Sequence, residues 1–309
     1  MKVLIVGLGS IAKKHIAAIR LLNSNSVFFS LRSGQKFDIN DNIININEIT
    51  QVPNDIDFIL ISNPTSAHSS SIFECLHFKK PLIIEKPVFD KIYGNQILVD
   101  LISKNQIKTY IACNMRFHPI VVYLKDLLSK NDKKINEVNI YCGSFMPDWR
   151  PNKDYKKSYS ALTDMGGGVH LDLIHELDYS IWIFGKPKNI YSIKRKVSNL
   201  QIDSIDYAYY NLFYDDFNLS IALNYYRKKP KRQIEILLEN EILSCDLLKC
   251  VIYDSNDNII FHRDNYSIID TYLNQMKYFI SNLNSEIPYM NDINESFDIL
   301  KFALNEESQ

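Results

Sequence analysis

The feature that most constrains the fold is a glycine turn that directly follows a short apolar run at the amino terminus. Residues 3–6 are all apolar, as in a central strand of a parallel sheet that is buried on both faces. Residues 7–12 then read Gly-Leu-Gly-Ser-Ile-Ala, and an amphipathic pattern predicts a helix to about Leu22. Strand, Gly-x-Gly-x-x-Ala and helix in this order form a dinucleotide-binding fingerprint.

Each small residue of the fingerprint has a physical role. Gly7 permits the tight turn, Gly9 lets the backbone approach a pyrophosphate, and Ala12 keeps the helix close to the strand. The helix amino terminus offers backbone N–H groups to phosphate. The predicted phosphate-binding residues are Gly7, Gly9, Ser10, Ile11 and Ala12.

The end of the second predicted strand, Val27–Leu31, bears on the choice of cofactor. Proteins that bind NAD usually place an acid there for the ribose 2′-hydroxyl, but no acid occurs here before Asp38. Arg32 and Ser33 occupy the position and suit a 2′-phosphate. We therefore expect NADP or NAD, with NADP favoured; the alternative is that Arg32 stacks on adenine or points to solvent.

Further apolar runs at 58–62, 81–84 and 108–112 alternate with helical patterns. This alternation predicts a doubly wound parallel sheet, in which ligands bind beyond the carboxyl ends of the strands. We assign residues 1–118 to this dinucleotide-binding domain. The residues that follow two of the strands are Asn63, Pro64, Glu85, Lys86 and Pro87.

The sequence changes character after Pro119. β-rich runs at 138–144, 190–197, 207–214, 219–226 and 233–238, separated by turns, predict a largely antiparallel sheet. A helix over 169–184 is expected on one face, and helices near 267–282 and 292–304 end the chain. The predicted fold class is α/β, with residues 119–309 as a second, substrate-binding and oligomerisation domain.

Composition excludes several classes of protein. The 35 basic and 36 acidic residues nearly cancel, which argues against nucleic acid or an anionic membrane as a partner. No apolar run of 18 residues is present, and the amino terminus lacks a signal-peptide pattern. Five scattered cysteines, without Cys-x-x-Cys, indicate thiols in a reducing cytoplasm and no metal site.

A second glycine turn, at residues 166–168, precedes a segment with acid–base potential. On a continuous helix, Asp172, His175 and Glu176 would be neighbours, because positions three and four apart share a face. A carboxylate beside an imidazole can move protons near neutral pH. The alternative is a structural role, with the histidine bridging helices and Asp172 as its partner.

Taken together, these motifs resemble the Gfo/Idh/MocA oxidoreductases. The resemblance covers nearly the whole chain in order and implies a Rossmann domain followed by an α/β domain with an open, mostly antiparallel sheet. It also implies hydride exchange between NAD(P) and a carbinol carbon of a sugar or cyclitol, and a homodimer or homotetramer formed through the open sheet. The motifs that carry it are Gly7-x-Gly9-x-x-Ala12, Asn63-Pro64 with His68, Glu85-Lys86-Pro87, and Gly166-Gly167-Gly168 with Asp172, His175 and Asp178.

By this resemblance, Lys86 is the catalytic lysine, followed by a cis peptide to Pro87, and His175 is the general base. Asp172 is its neighbour or a substrate ligand. Many relatives space the aspartate and histidine by four residues, whereas here the spacing is three and Glu176 holds the fourth position. The choice of base between His175 and Glu176 therefore stays open.

The resemblance also assigns cofactor contacts beyond the glycine turn. Arg116 either contacts the cofactor or fixes the hinge between the domains. The other implied cofactor-binding residues are Asn63, Pro64, His68, Glu85 and Lys86.

The loop at 145–163 carries a narrower resemblance, to a branch of the family found in bacterial surface-polysaccharide and sialic-acid-type sugar pathways. Arginine and aromatic side chains there suit an acidic or nucleotide-linked sugar, while an ordinary subunit-contact loop is the alternative. The predicted substrate-binding residues are Trp149, Arg150, Tyr155, Tyr159, Asp172 and His175.

Two functions of different classes follow from these observations. The first is an NAD(P)-dependent oxidoreductase acting on a sugar. The second is a catalytically silent regulatory protein of the same fold that binds NAD(P). A silent protein would be expected to lack the lysine or the Asp/His pair, and all three residues are present. We therefore predict an enzyme.

Overall fold

A computed structural model of the chain describes residues 1–32, 43–130 and 133–304. By their contacts the residues form two compact units, Met1–Asn114 with Ile269–Leu300, and Met115–Ile268 with the chain from Lys301. The helices are α1 (Ser10–Leu22), α2 (His68–Cys75), α3 (Gln96–Lys104), α4 (Pro119–Ser129), α5 (Val169–Asp172), α6 (His175–Phe184), α7 (Ile268–Ser281) and α8 (Ile293–Leu304).

A six-stranded parallel sheet forms the centre of the first unit, in the order β3-β2-β1-β4-β5-β6. The order reverses beside β1, as in a doubly wound sheet. The central strand β4 is wholly buried, which explains its uninterrupted apolar sequence. The strands are β1 (Lys2–Val6), β2 (Val27–Leu31), β3 (Ile43–Ile46), β4 (Phe58–Ile61), β5 (Leu82–Glu85) and β6 (Thr109–Ala112).

The second unit contains an eight-stranded sheet in the order β14-β13-β12-β11-β7-β10-β9-β8. Every neighbouring pair is antiparallel except β7 and β10. The strands are β7 (Ile135–Phe145), β8 (Asn189–Arg195), β9 (Tyr207–Phe213), β10 (Asn218–Asn224), β11 (Tyr226–Leu238), β12 (Ile242–Asp246), β13 (Val251–Tyr253) and β14 (Ile259–His262). The predicted α/β fold class, with a parallel sheet and a mostly antiparallel sheet, is confirmed.

The units differ from the predicted domains in two respects, because residues 115–118 belong to the second unit and residues 269–300 belong to the first. Phe279 on α7 packs edge-to-face on Phe58 of β4, with ring centroids 5.0 Å apart. Asn291 pairs with the edge strand β6, since its carbonyl accepts from the Ile111 N–H and its side-chain amide donates to the Ile111 carbonyl. This carboxyl-terminal segment therefore covers the β6 edge of the parallel sheet, a contact that the order of the sequence did not predict.

Two predictions on local structure are wrong. The helix expected over 169–184 is two helices, because Leu173 has φ −99° and ψ 29°, outside the helical region. The sequence also predicts an apolar stripe on this helix, of which Leu177 is fully buried and the other members are only partly buried: Leu173, Ile181 and Phe184. In addition, β3 and β12–β14 were not predicted, since these short strands lie at or near sheet edges and lack a strong alternating pattern.

Among the described residues, no helix has the length and apolar character needed to cross a bilayer. In the same residues, no group of three His, Cys, Asp or Glu side chains is arranged to hold a metal ion. The five cysteines, all of them described, are buried and form no disulfide.

Candidate functional site

The glycine turn of the first unit has the geometry expected of a phosphate-binding loop. Gly7 has φ +88°, and a Cβ there would lie 2.7 Å from the backbone of Asn63. Only glycine therefore fits this turn between β1 and α1, which packs against the residues that follow β4. Gly9 precedes α1, and a Cβ there would meet no described atom within 4 Å. The open space beside Gly9 suits a ligand.

The start of α1 suits an anion. Gly9 and Ser10 are exposed, Ile11 is half-buried, and Ala12 is buried against the sheet. The first turn of α1 contains no acidic residue, and no side chain caps it. Its backbone N–H groups and the positive end of the helix dipole are therefore available to a phosphate. These residues fit the pyrophosphate of NAD(P).

The ribose position is only partly described. Arg32 is half-buried, and its N–H donates to the Ile46 carbonyl at 3.2 Å, so its backbone is fixed at the end of β2. Ser33 lies outside the described residues. The preference for NADP therefore stays a prediction.

His68 connects two strand ends of the first unit. Its Nδ1 lies 3.1 Å from the carbonyls of Pro87 and Val88, and its Nε2 lies 3.1 Å from the carbonyl of Asn63. Burial lowers the pKa of His68, whereas the contacts with the three carbonyls act in the opposite direction. Its described contacts hold the Asn63 and Pro87 segments together; the predicted cofactor contact stays a prediction.

The Glu85-Lys86-Pro87 segment follows β5, and the peptide before Pro87 is cis, as the resemblance implied. The Glu85 carboxylate lies 2.5 Å from Nε2 of His15 on α1, and His15 is fully buried. Lys86 is half-buried at this strand end. No such role was predicted for His15; its position one turn after Ala12 on the same helix face was the available signal.

Asn63 and Pro64 extend from β4 beside this segment. The Asn63 amide donates to Ser71 Oγ at 2.7 Å, and Pro64 is exposed at the start of a short 3₁₀ turn. Both residues lie at the carboxyl end of the parallel sheet, where the cofactor is expected. Their contact with it is a prediction.

In the second unit, the Asp172 carboxylate is held by two phenols. Tyr159 donates to one carboxylate oxygen at 2.6 Å and Tyr225 donates to the other at 2.8 Å. Burial, and then the nearby Asp172 charge, raise the pKa of Tyr225 well above its usual value, so this phenol stays a donor. The sequence placed Tyr225 only within the β-rich run at 219–226, and this contact with Asp172 was not predicted.

Glu176 has different partners from Asp172. Its carboxylate is fully buried and accepts from Arg232 Nε at 2.6 Å. Burial by itself lowers the pKa of the Arg232 guanidinium. The negative charges around it, first that of Glu176, have the larger effect, so the pKa is raised. The prediction that Asp172 and Glu176 lie on one helix face is therefore wrong, because the helix breaks between them. A carboxylate neutralised by arginine is a poor base.

His175 is buried at the first position of α6, directly after the break.

Arg116, predicted either to contact the cofactor or to fix a hinge, donates to both carboxylate oxygens of Asp178 at 2.9 and 2.8 Å. Both side chains of this pair are buried. Within the second unit Arg116 thus fixes α6, and its predicted cofactor contact stays a prediction.

The loop before the second glycine turn lines a pocket of about 470 Å³. Three cations and one acid contribute to it, together with three aromatic rings. All four predicted loop residues take part, and Tyr159 also reaches Asp172. The lining residues are Met146, Trp149, Arg150, Lys153, Asp154, Tyr155, Lys157, Ser158, Tyr159 and Ser160.

Residues 1–112 match a family model described as an oxidoreductase family with an NAD-binding Rossmann fold, GFO_IDH_MocA. The match covers 112 of the 309 residues, at the amino-terminal end of the chain. The resemblance stated from the motifs is thus confirmed.

Known proteins resemble the chain at low identity. The oxidoreductase YrbE of Bacillus subtilis is 26% identical over 132 residues, which are 42% of this chain and 36% of YrbE. UDP-N-acetylglucosamine 3-dehydrogenase GnnA from Acidithiobacillus ferrooxidans superposes with a TM-score of 0.76 at 16% identity, covering 99% of this chain and 96% of GnnA. The WlbA dehydrogenase of Bordetella pertussis, in complex with NADH and UDP-GlcNAcA, gives 0.77 at 15% identity, with 98% and 94% covered. The structural matches show that the fold is shared.

Proposed function

We propose that the protein is an NAD(P)-dependent oxidoreductase acting on a CH–OH group of an acidic or nucleotide-linked sugar. The observation that carries the proposal is the Asp172 carboxylate, which two phenols hold beside a basic, aromatic pocket. Arginine and lysine side chains suit a phosphate or carboxylate, and aromatic rings suit a base or sugar face.

Two of the structural neighbours support this class of substrate. GnnA is a UDP-N-acetylglucosamine 3-dehydrogenase, and WlbA forms a complex with NADH and UDP-GlcNAcA. Both ligands carry a diphosphate. Arg150, Lys153 and Lys157 around the pocket outnumber its one acid, Asp154, and would meet such a group.

The residues divide the chemistry between them. Bound NAD(P) supplies the acceptor or donor of the hydride. Lys86 would stabilise negative charge that develops on the substrate oxygen, and neutral His175 would accept the hydroxyl proton. Asp172 would orient the substrate or His175, and the pairing of Glu176 with Arg232 favours His175 over Glu176 as the base.

The cofactor preference is a finer part of the proposal. A guanidinium at position 32 would contact the 2′-phosphate of NADP, a charge-assisted interaction typically of about 1.5–3 kcal/mol. NADPH and NADH titrations on wild type and Arg32→Ala measure it. A selective loss of NADPH affinity in Arg32→Ala supports the preference, and equal affinities in both proteins would contradict it.

We also infer a homodimer or homotetramer that covers the open face of the second sheet. Tyr191 is exposed there, and Tyr207 and Tyr209 are only partly buried. Such a row of aromatic residues is typical of a surface that a second copy covers. Light scattering at micromolar concentration tests the assembly, and a monomer would contradict it.

Five buried thiols fit a reducing compartment, the cytoplasm.

The test of function is turnover with a panel of UDP-hexoses, UDP-uronic acids and free sugars, followed by nicotinamide absorbance with NADP⁺ and NAD⁺. Lys86→Ala should still bind NADPH, because the turn at residues 7–12 holds the phosphates. It should lose turnover by orders of magnitude, because the charge of Lys86 acts mainly on the transition state. If Lys86→Ala turns over like wild type, the catalytic assignment fails and a nucleotide-binding regulator becomes the better conclusion.

A further inference from the structure

Tyr159 contacts both the pocket and the Asp172 carboxylate. Its ring lines the pocket of residues 146–160, with 36% of the residue exposed, while its hydroxyl donates to Asp172 at 2.6 Å. Asp172 is only 8% exposed, so little of its carboxylate meets solvent. Any ligand that shifts the Tyr159 ring must therefore act on the Asp172 carboxylate.

A second path joins the same pocket to the same carboxylate. Trp149, which is 41% exposed in the pocket, packs edge-to-face on Tyr225, with ring centroids 5.2 Å apart and planes at 86°. Tyr225 is fully buried and donates to the other oxygen of Asp172 at 2.8 Å. The indole also donates to Ser144 Oγ at 2.8 Å, which sets the ring orientation.

The backbone of this loop is fixed to the turn that precedes Asp172. A Cβ at Gly167 would lie 2.7 Å from the carbonyl oxygens of Ser160 and Leu162 and would also overlap the carbonyl of Tyr159. The pocket loop and the start of α5 therefore pack without intervening space. A displacement of one is carried to the other, because close-packed groups transmit shifts.

We propose that Tyr159 and Tyr225 are positioning residues, through which an occupant of the pocket sets the orientation of Asp172 for the reaction. The inference rests on the proposed function, because it assigns the pocket to the non-reacting part of the substrate. Binding energy from that part then contributes to the chemical step, since it aligns a group that acts at the reacting centre. Substrates that lack this part lose kcat as well as affinity.

The first experiment measures the linkage without turnover. The chain has two tryptophans, so Trp182→Phe leaves Trp149 as the only tryptophan. UDP and glucuronate are titrated onto this protein and onto versions with Tyr159→Phe, Asp172→Ala, and both changes. Each single change breaks the hydrogen bond between Tyr159 and Asp172, so the double variant should bind the probe with the affinity of Asp172→Ala alone.

Additive effects of the two changes would overturn the linkage, as would the absence of a fluorescence response to either probe. Tyr93→Phe is the matched control, since Tyr93 is 89% exposed in the other unit and loses the same hydroxyl. Its affinity for the probe should equal that of the parent protein.

The second experiment measures turnover with whichever sugar substrate the panel identifies. Tyr159→Phe and Tyr225→Phe should each lower kcat by about tenfold or more, the value of one hydrogen bond to a charged group, with KM changed less. A rise in KM alone would overturn the positioning role. Far-ultraviolet circular dichroism and thermal unfolding confirm that Tyr159→Phe, whose ring is accessible, remains folded.

The two experiments separate the inference from the proposed function. Non-additive binding with no sugar oxidised means that the linkage exists and the proposed function is wrong. Oxidation of a sugar with additive binding effects means that the function is right and the positioning role is wrong.

Discussion

The protein contains two glycine turns that each lead into a helix, and their surroundings are opposite. In the first turn, a Cβ at Gly9 would meet no described atom within 4 Å, and the first turn of α1 carries no acid. In the second turn, a Cβ at Gly167 would overlap three backbone carbonyls. The first turn leaves room for a ligand, whereas the second brings protein against protein.

The charges near the two helix starts follow the same division. Exposed N–H groups at the start of α1 can bind an anion from outside. The helix after the second turn, α5, instead carries Asp172 in its first turn, and α6 beyond it begins with Glu176 and Asp178, which Arg232 and Arg116 neutralise from within the second unit. The same residue type, glycine before a helix, thus serves ligand binding in one place and rigid packing in the other.

The largest effect on stability is expected from breaking the ion pair between Arg232 and Glu176 in the second unit. Arg232→Met should lower the free energy of unfolding by about 3–5 kcal/mol, because Glu176 then remains buried without a partner. Replacing both residues, by Arg232→Met with Glu176→Leu, should regain most of the loss. Urea unfolding measures both variants. A small loss in the single variant would show that the second region tolerates an unpaired charge.

A second effect tests the closed packing directly. Gly167→Ala should cost about 3 kcal/mol, since the added methyl group overlaps carbonyl oxygens that cannot move independently of the pocket loop. Gly9→Ala is the matched control and should leave the unfolding free energy nearly unchanged. Thermal unfolding of the two variants compares the turns, and equal losses would remove the contrast between them.

Acid provides a third comparison, because each unit holds a buried histidine whose pKa is lowered by burial. Burial, aided by the charge of Arg232, lowers the pKa of His118 from 6.5 to about 4. The neutral ring is needed, since Nδ1 accepts from the Ile120 N–H at 3.2 Å and Nε2 donates to the Leu247 carbonyl at 3.0 Å. Burial lowers the pKa of His68 in the first unit in the same direction.

A lowered histidine pKa means that the unfolded chain binds the proton first as pH falls. The contribution of His118 is therefore fully present above about pH 6.5 and is lost progressively toward pH 4, by about 3 kcal/mol in total. His118→Asn, which can still cap α4, should flatten this part of the stability profile. His262→Asn, at an exposed position, should leave it unchanged. An unaltered profile in His118→Asn would contradict the assignment.

The smallest effect concerns the open turn. Gly9→Ala places a methyl group in the space assigned to the cofactor, so NADPH affinity should fall by about tenfold, or roughly 1.4 kcal/mol. Isothermal titration measures it, with Gly167→Ala below its unfolding temperature as the comparison. Unchanged affinity in Gly9→Ala would mean that the space beside Gly9 is not a binding site.

The sequence predicted most of the first unit because its evidence is local. A wholly apolar run, a glycine turn and a helix follow one another directly, and each has few alternative structures. The cis peptide before Pro87 and the mostly antiparallel second sheet also agreed with expectation. The edge strands and the return of residues 269–300 to the first unit were not predicted, because packing partners distant in sequence decide them.

What the sequence determined by itself is therefore the fold class, the dinucleotide fingerprint and the residue types that could carry acid–base chemistry. Only the tertiary structure decided which partner each of those residues has. Asp172 and Glu176 are four residues apart and chemically alike, yet phenols hold one and a guanidinium holds the other. The reason is physical: a carboxylate's role depends on the groups that surround it, and these arrive from strands and loops far away in the chain.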